Sequence, residues 1–139
     1  MLKNETKVCE QLNAILEEMA KGKFICKERK GKGISSIDKP ADLGIYRVKR
    51  PDLCLIAIEV AAVNTTQLTG EVLRLFYDSC PRKLLVLIGK QPGKKGKYLC
   101  EKIFYLLYGQ EKILRTPARV VRYTNEKDTK RCLKSLLLL

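Results

Sequence analysis

The chain has no histidine and no tryptophan. Without an imidazole there is no histidine general base, no Cys–His or Ser–His nucleophile pair and no histidine ligand for zinc. The six cysteines, Cys9, Cys26, Cys54, Cys80, Cys100 and Cys132, form no CxxC pair, so a structural zinc site is not expected. They are widely spaced, unlike the framework of a small disulfide scaffold. Free thiols in a reducing cytoplasm are the expectation, with intracellular structural disulfides the exception. Aromatics are few, six Tyr and three Phe. Base stacking is therefore not the expected mode of any nucleic-acid contact, and duplex backbone binding is preferred. No apolar run approaches the roughly 18 residues that span a bilayer. The N-terminus lacks the apolar stretch and cleavage site of a signal peptide and reads as part of the mature fold.

Acidic residues are also scarce: 15 Asp+Glu face 28 Lys+Arg, a net charge of +13. So large an excess repels itself unless an anionic partner offsets it, and nucleic acid is the first expectation, an anionic membrane the second. The charge is uneven. Between residues 27 and 50 stand Lys27, Arg29, Lys30, Lys32, Lys39, Arg47, Lys49 and Arg50 against Glu28, Asp38 and Asp42. A second run holds Lys90, Lys94, Lys95 and Lys97. The candidates for phosphate contact are Lys30, Lys32, Lys49, Arg50, Lys94, Lys95 and Lys97. The last three precede or open a predicted helix, whose positive end adds to their field. A solvated basic loop is the alternative.

At 139 residues, 45% of them hydrophobic, the chain fits one domain with a packed core and no linker or repeat. Residues 5–20 read as an amphipathic helix with Val8, Leu12, Ile15 and Met19 on one stripe. Strands follow at 24–26, 43–46 and 53–61, the last two joined by a turn around Arg50-Pro51. Asn64 is the expected cap of a second helix, with Gln67 at the reciprocal capping position and Leu68, Val72, Leu75 and Phe76 inward. Residues 83–88, Lys-Leu-Leu-Val-Leu-Ile, read as an interior strand covered on both faces. A third helix over roughly 97–109, a strand over 118–123 and a last helix capped by Asn125 complete the order. A meander followed by strand–helix–strand steps predicts an α/β fold with a mixed sheet flanked by helices and a right-handed crossover. The apolar tail, residues 132–139, suits an oligomer interface such as a homodimer's.

Two acidic residues sit oddly in this frame. Glu59 lies inside the most apolar strand, between Ile58 and Val60, and Asp42 opens the strand before it. A buried carboxylate is costly unless it is paired or binds a metal. If the hairpin turns about Arg50-Pro51, antiparallel pairing sets residue 42 opposite residue 59. Their Cβ atoms then stand about 4.5–5.5 Å apart, close enough to share a divalent cation. Asp52 is excluded from that role, since seven residues of strand separate it from Glu59 by roughly 23 Å. The alternatives are a salt-bridged structural Glu59, an Asp42 that stabilises the turn after Pro40, and a Gln67 that only caps its helix.

With these residues in place, roughly residues 5–90 resemble the restriction-endonuclease-like, or PD-(D/E)XK, nucleases, including the archaeal Holliday-junction resolvases. Pro40-Ala41-Asp42 stands where that family has Pro-Asp, with one residue inserted, and Ile58-Glu59-Val60-Ala61 where it has a hydrophobic residue followed by Glu-x-Lys. The resemblance implies a restriction-endonuclease-like core holding Mg²⁺ (or Mn²⁺) on Asp42, Glu59 and the Val60 carbonyl, with Glu10 of the first helix as an additional acidic ligand. It implies Asp42 and Glu59 as catalytic residues of phosphodiester hydrolysis on duplex or branched DNA. Ala61 occupies the place of the family's lysine; Gln67, Arg74 and Lys49 are the candidates to replace it. The expectation is a DNA-binding protein, either a divergent Mg²⁺-dependent endonuclease or an inactive relative. The other reading is a non-catalytic scaffold that reuses the fold for protein contacts.

Overall fold

In a computed structural model the described residues are 1–31, 40–62, 65–89, 93–108 and 118–138; the side chains of 65, 66, 93–96, 107 and 108 are outside the description. The elements run α1 (Lys3–Ala20), β1 (Phe24–Glu28), β2 (Leu43–Arg47), β3 (Arg50–Ala62), α2 (Thr65–Tyr77), β4 (Lys83–Ile88), α3 (Gly93–Tyr108), β5 (Ala118–Arg122) and α4 (Glu126–Leu137). The order is the one expected. Asn64 and Lys32 lie outside the described residues, whereas Asn125 does cap α4, its Oδ1 accepting from the Asp128 amide at 3.0 Å.

The five strands form one mixed sheet in the order β1-β2-β3-β4-β5. β1, β2 and β3 pair antiparallel, and β3, β4 and β5 pair parallel. Helices cover both faces, because the strands alternate two apolar sets. Ile56, Ile58 and Val60 of β3, with Leu84 and Val86 of β4, meet Val8, Leu12, Ile15 and Leu16 of α1 and Leu133 and Leu136 of α4. Ala57 and Ala61 of β3, with Leu85 and Leu87 of β4, meet Leu68, Val72 and Leu75 of α2 and Cys100 and Phe104 of α3. β4 is thus buried on both faces, as an unbroken apolar run requires.

Two expectations need correction. The hairpin turns at Val48-Lys49, since Arg47 pairs with Arg50. β3 then takes four more residues than β2, in two register shifts around Tyr46, before Ile45 meets Ile56 and Leu43 meets Ile58. The irregularity absorbs Pro51, which has no N–H to give a ladder. The tail is only partly free: Cys132, Leu133 and Leu136 are spent in the core, while among its described residues Lys134, Ser135 and Leu138 are exposed. No helix among the described residues is long and apolar enough to cross a membrane.

Candidate functional site

The bulge leaves a register in which residue 42, one step before the Leu43–Ile58 pair, stands opposite residue 59. Asp42 and Glu59 therefore face each other as expected, through a different turn. Glu59 points to the α2 side of the sheet, flanked by Ala57 and Ala61, whose small side chains leave the space it fills. It is 1% exposed. The Asp42 carboxyl is near enough to raise Glu59's titration, and Asp42 Oδ2 accepts the Val60 amide at 3.0 Å. In an extended strand the N–H and C=O of one residue leave on the same edge. The Val60 carbonyl is thereby directed to the side where Asp42 stands.

Three charged residues surround the pair. Arg74 of α2 donates from Nη1 to Glu59 Oε1 at 3.1 Å. Glu71, one turn earlier on the same helix face, is half-buried, and Asp42 and Arg74 both bear on its titration. Glu5 of α1 is the third, its carboxyl raised by burial first and then by the charge of Asp42. Burial and the neighbouring Asp42 push Glu59 up to about 10, against the pull of Arg74. The same two causes push Glu71 up to about 7. Glu59 Oε2 and Glu71 Oε2 are buried and accept no hydrogen bond. That is an unusual cost for two carboxyl oxygens in one place.

The other expected residues are distributed as follows. Glu10 is exposed on α1; five residues from Glu5 it is turned by about 140° around the helix, away from the face that feels Asp42. The acidic neighbour from the first helix is thus Glu5. Gln67 is exposed, on the same stripe of α2 as Glu71 and Arg74 (i, i+4, i+7) but a turn nearer the N-terminus. Lys49 is in the hairpin turn at the far end of β2, roughly 16 Å along the strand from Asp42, which removes it as a stand-in for the lysine. Among the three candidates for that place, Arg74 is the one that contacts Glu59.

Of the basic candidates, Lys30, Lys49 and Arg50 are exposed, Arg50 beside Asp52 at 3.8 Å. Lys94 and Lys95 belong to the first turn of α3. Lys97 departs from expectation. It is ion-paired to Asp128 at 3.2 Å and to Glu101 at 3.7 Å, a clasp between α3 and α4. Lys30 and the first turns of α2 and α3 lie at the end of the sheet where Asp42 stands, together with the carboxyl ends of the parallel strands. Lys49 and Arg50 lie at the opposite end of the β2–β3 hairpin.

A second polar cluster went unread in the sequence. Asp78, whose side chain has no exposed surface, is gripped by Arg29 at 2.7 Å. It also accepts the amides of Ala41 and Cys80, each at 2.8 Å. Those three partners hold its carboxyl below the usual carboxylate range despite burial. Lys83 donates to the Asp78 carbonyl, and the Arg29 amide donates to the Asp42 carbonyl at 3.2 Å. Arg29 and Asp78 thus fix the Ala41-Asp42 segment from both sides.

Among the described residues no set of three or more Cys, Asp or Glu side chains converges as a ready-made metal site. No protein-family model matches the chain, and no curated protein or solved structure matches it significantly.

Proposed function

We propose that this chain binds the phosphate backbone of duplex nucleic acid on a restriction-endonuclease-like core, with Asp42 and Glu59 placed to share a divalent cation at the bound phosphate. The observation that carries the reading is the carboxyl pair itself. Two acidic side chains meet across a hairpin, one of them almost fully buried, beside buried carboxyl oxygens that lack a hydrogen-bond donor. The donor set fits Mg²⁺ or Mn²⁺, which take one or two carboxylates from a protein and complete their shell with water and substrate oxygen. Asp42 and Glu59 would hold the ion with the Val60 carbonyl, and such an ion neutralises phosphate charge and acidifies bound water.

The chain's own residues divide the remaining work. The Arg74 guanidinium orients Glu59 and offers charge to a phosphate. Glu71, raised to about 7, is the group near the pair that exchanges a proton around neutrality. It stands as the proton acceptor for hydrolysis where Ala61 replaces the lysine. The net charge of +13 supplies the sequence-independent part of the affinity.

The test is the salt dependence of duplex DNA binding, read by fluorescence anisotropy. Affinity should fall by orders of magnitude between about 50 and about 200 mM salt if about six or more phosphates are contacted. Lys30→Gln should reduce the slope by about one phosphate. An affinity indifferent to salt, or no complex at low salt, removes the reading.

A further inference from the structure

All six cysteines are thiols in this structure, and two of them stand side by side beneath the Asp42 support. Cys54 lies in the irregular stretch of β3, paired with Tyr46 where the register shifts. Its sulfur occupies space that glycine at position 44 leaves open, for a Cβ there would approach Sγ to 2.8 Å. Cys80 sits in the turn before β4. Its Sγ donates to the Cys54 carbonyl at 3.3 Å, and its amide is one of the two that hold Asp78. The neighbouring thiols act on each other's titration, Cys54 lowering Cys80 to about 7 and Cys80 raising Cys54. The pair can therefore present a thiolate near neutral pH, the form that attacks a disulfide.

We propose that Cys54 and Cys80 form a reversible intramolecular disulfide by exchange with a low-molecular-weight disulfide such as oxidised glutathione. Cys54 is half-buried and Cys80 is 4% exposed, so Cys54 is the sulfur that the reagent reaches. The Cys80 thiolate takes the Cys54 proton, and the Cys54 thiolate so formed attacks the reagent's S–S bond, which breaks; Cys54 becomes a mixed disulfide and one thiolate leaves. Cys80 Sγ then attacks Cys54 Sγ, closing the Cys54–Cys80 bond and expelling the second thiolate. The two cysteine protons pass to the departing thiolates. The protein loses two electrons, and the reagent is reduced to two thiols.

Cys9 and Cys26 provide an internal comparison. Cys9 Sγ donates to the Cys26 carbonyl at 3.2 Å, a contact of the same kind. Both are buried, and Asn13 clamps the backbone of Cys26 with two hydrogen bonds. Neither thiol of that pair is as exposed as Cys54, so access favours Cys54–Cys80. Because Asp78 ties Cys80 to Ala41, the new bond closes a loop that contains β3 from Cys54 onward, α2 and Asp78, which anchors the segment before Asp42.

The full chain is equilibrated natively in reduced and oxidised glutathione, trapped with an alkylating reagent, and mapped by peptide mass spectrometry. The expected result is loss of two alkylatable thiols, both in a Cys54–Cys80 peptide, reversed by dithiothreitol. The oxidised protein should gain about 7–13 °C in Tm from closing a loop of this length. Cys80→Ser should stop the sequence at a stable glutathione adduct on Cys54. Retention of all six thiols, an adduct on wild-type Cys54 that never closes, or linkage of any other pair would overturn the proposal. The wild-type map decides it even if the variant does not fold.

Discussion

Glu59→Gln isolates the electrostatic cost of the carboxyl pair. In the folded chain Glu59 keeps its proton up to about 10, whereas an unfolded glutamate releases it near about 4.3. Between those values the native state binds one more proton than the unfolded state, so stability falls as pH rises. The contribution is intact below about 4.3 and is lost steadily up to about 10. The ceiling is about 1.4 kcal/mol per pH unit, and relaxation with entering water brings it nearer to about 0.7. For a chain of this size the unfolding entropy is about 0.3 kcal/mol/K, which makes the slope about 2–5 °C in Tm per pH unit. Two other trends are common to both proteins. Self-repulsion from the +13 charge relaxes as pH approaches the isoelectric point near 9.6, and Glu71 titrates in both. The readout is therefore the wild-type Tm minus the Glu59→Gln Tm, followed by circular dichroism without divalent ions from about pH 5 to about pH 9. It should fall with pH by the stated slope, the variant becoming the more stable protein at alkaline pH. Adding Mn²⁺ should raise the wild-type Tm with the logarithm of its concentration and leave the variant unmoved. A difference that stays constant across this range would mean that Glu59 is ionised in the fold and simply salt-bridged to Arg74.

The Asp78 cluster yields a stability prediction. Asp78→Ala leaves Arg29 without its carboxylate and the Ala41 and Cys80 amides without an acceptor at a buried position, and should cost about 3–5 kcal/mol in urea unfolding. A loss below about 1 kcal/mol would show that water replaces the carboxylate. Gly44→Ala puts a Cβ at 2.8 Å from Cys54 Sγ and 2.9 Å from a Tyr46 ring carbon; it should destabilise by about 1–3 kcal/mol in the same assay, and a neutral result would mean that the bulge yields. If Glu71 accepts the proton, cleavage of duplex DNA should rise with pH through about 7 and level off. Glu71→Gln should remove that rise while leaving DNA affinity within about twofold.

The element order was legible because apolar periodicity is a local property and each element of this chain carries it strongly: the stripe Val8, Leu12 and Ile15, and the unbroken run from Leu84 to Ile88. Long-range geometry was legible only in part. The 42–59 pairing emerged although the turn lies at Val48-Lys49, because the four extra residues of β3 restore the register that a turn at Arg50-Pro51 would give. Nothing in the local pattern distinguishes a bulge of that kind from a longer loop. Glu5 rather than Glu10 feels the charge of Asp42, because the two are turned apart around α1 and Glu5 lies at its first turn, where the apolar stripe has barely begun. Arg74 is one of three candidates for the lysine's place, and choosing it, like finding Glu71, needed the docking of α2 over Ala57 and Ala61. Lys97 and Arg29 belong to the basic runs, yet each is claimed by a carboxylate from a distant part of the chain, and Lys83 donates to the nearby Asp78 carbonyl. The signal for Lys83 was its place at the head of an otherwise apolar strand, and for Asp78 its position between two buried elements.

The most direct test is incubation of labelled linear and branched duplex DNA with wild type and Asp42→Ala at low salt, with Mg²⁺ or Mn²⁺, resolving complexes on native gels and products on denaturing gels. The account predicts that both proteins shift the DNA and that only the wild type, with metal, cuts it. Absence of any complex from either protein, or cleavage undiminished by Asp42→Ala, would contradict it.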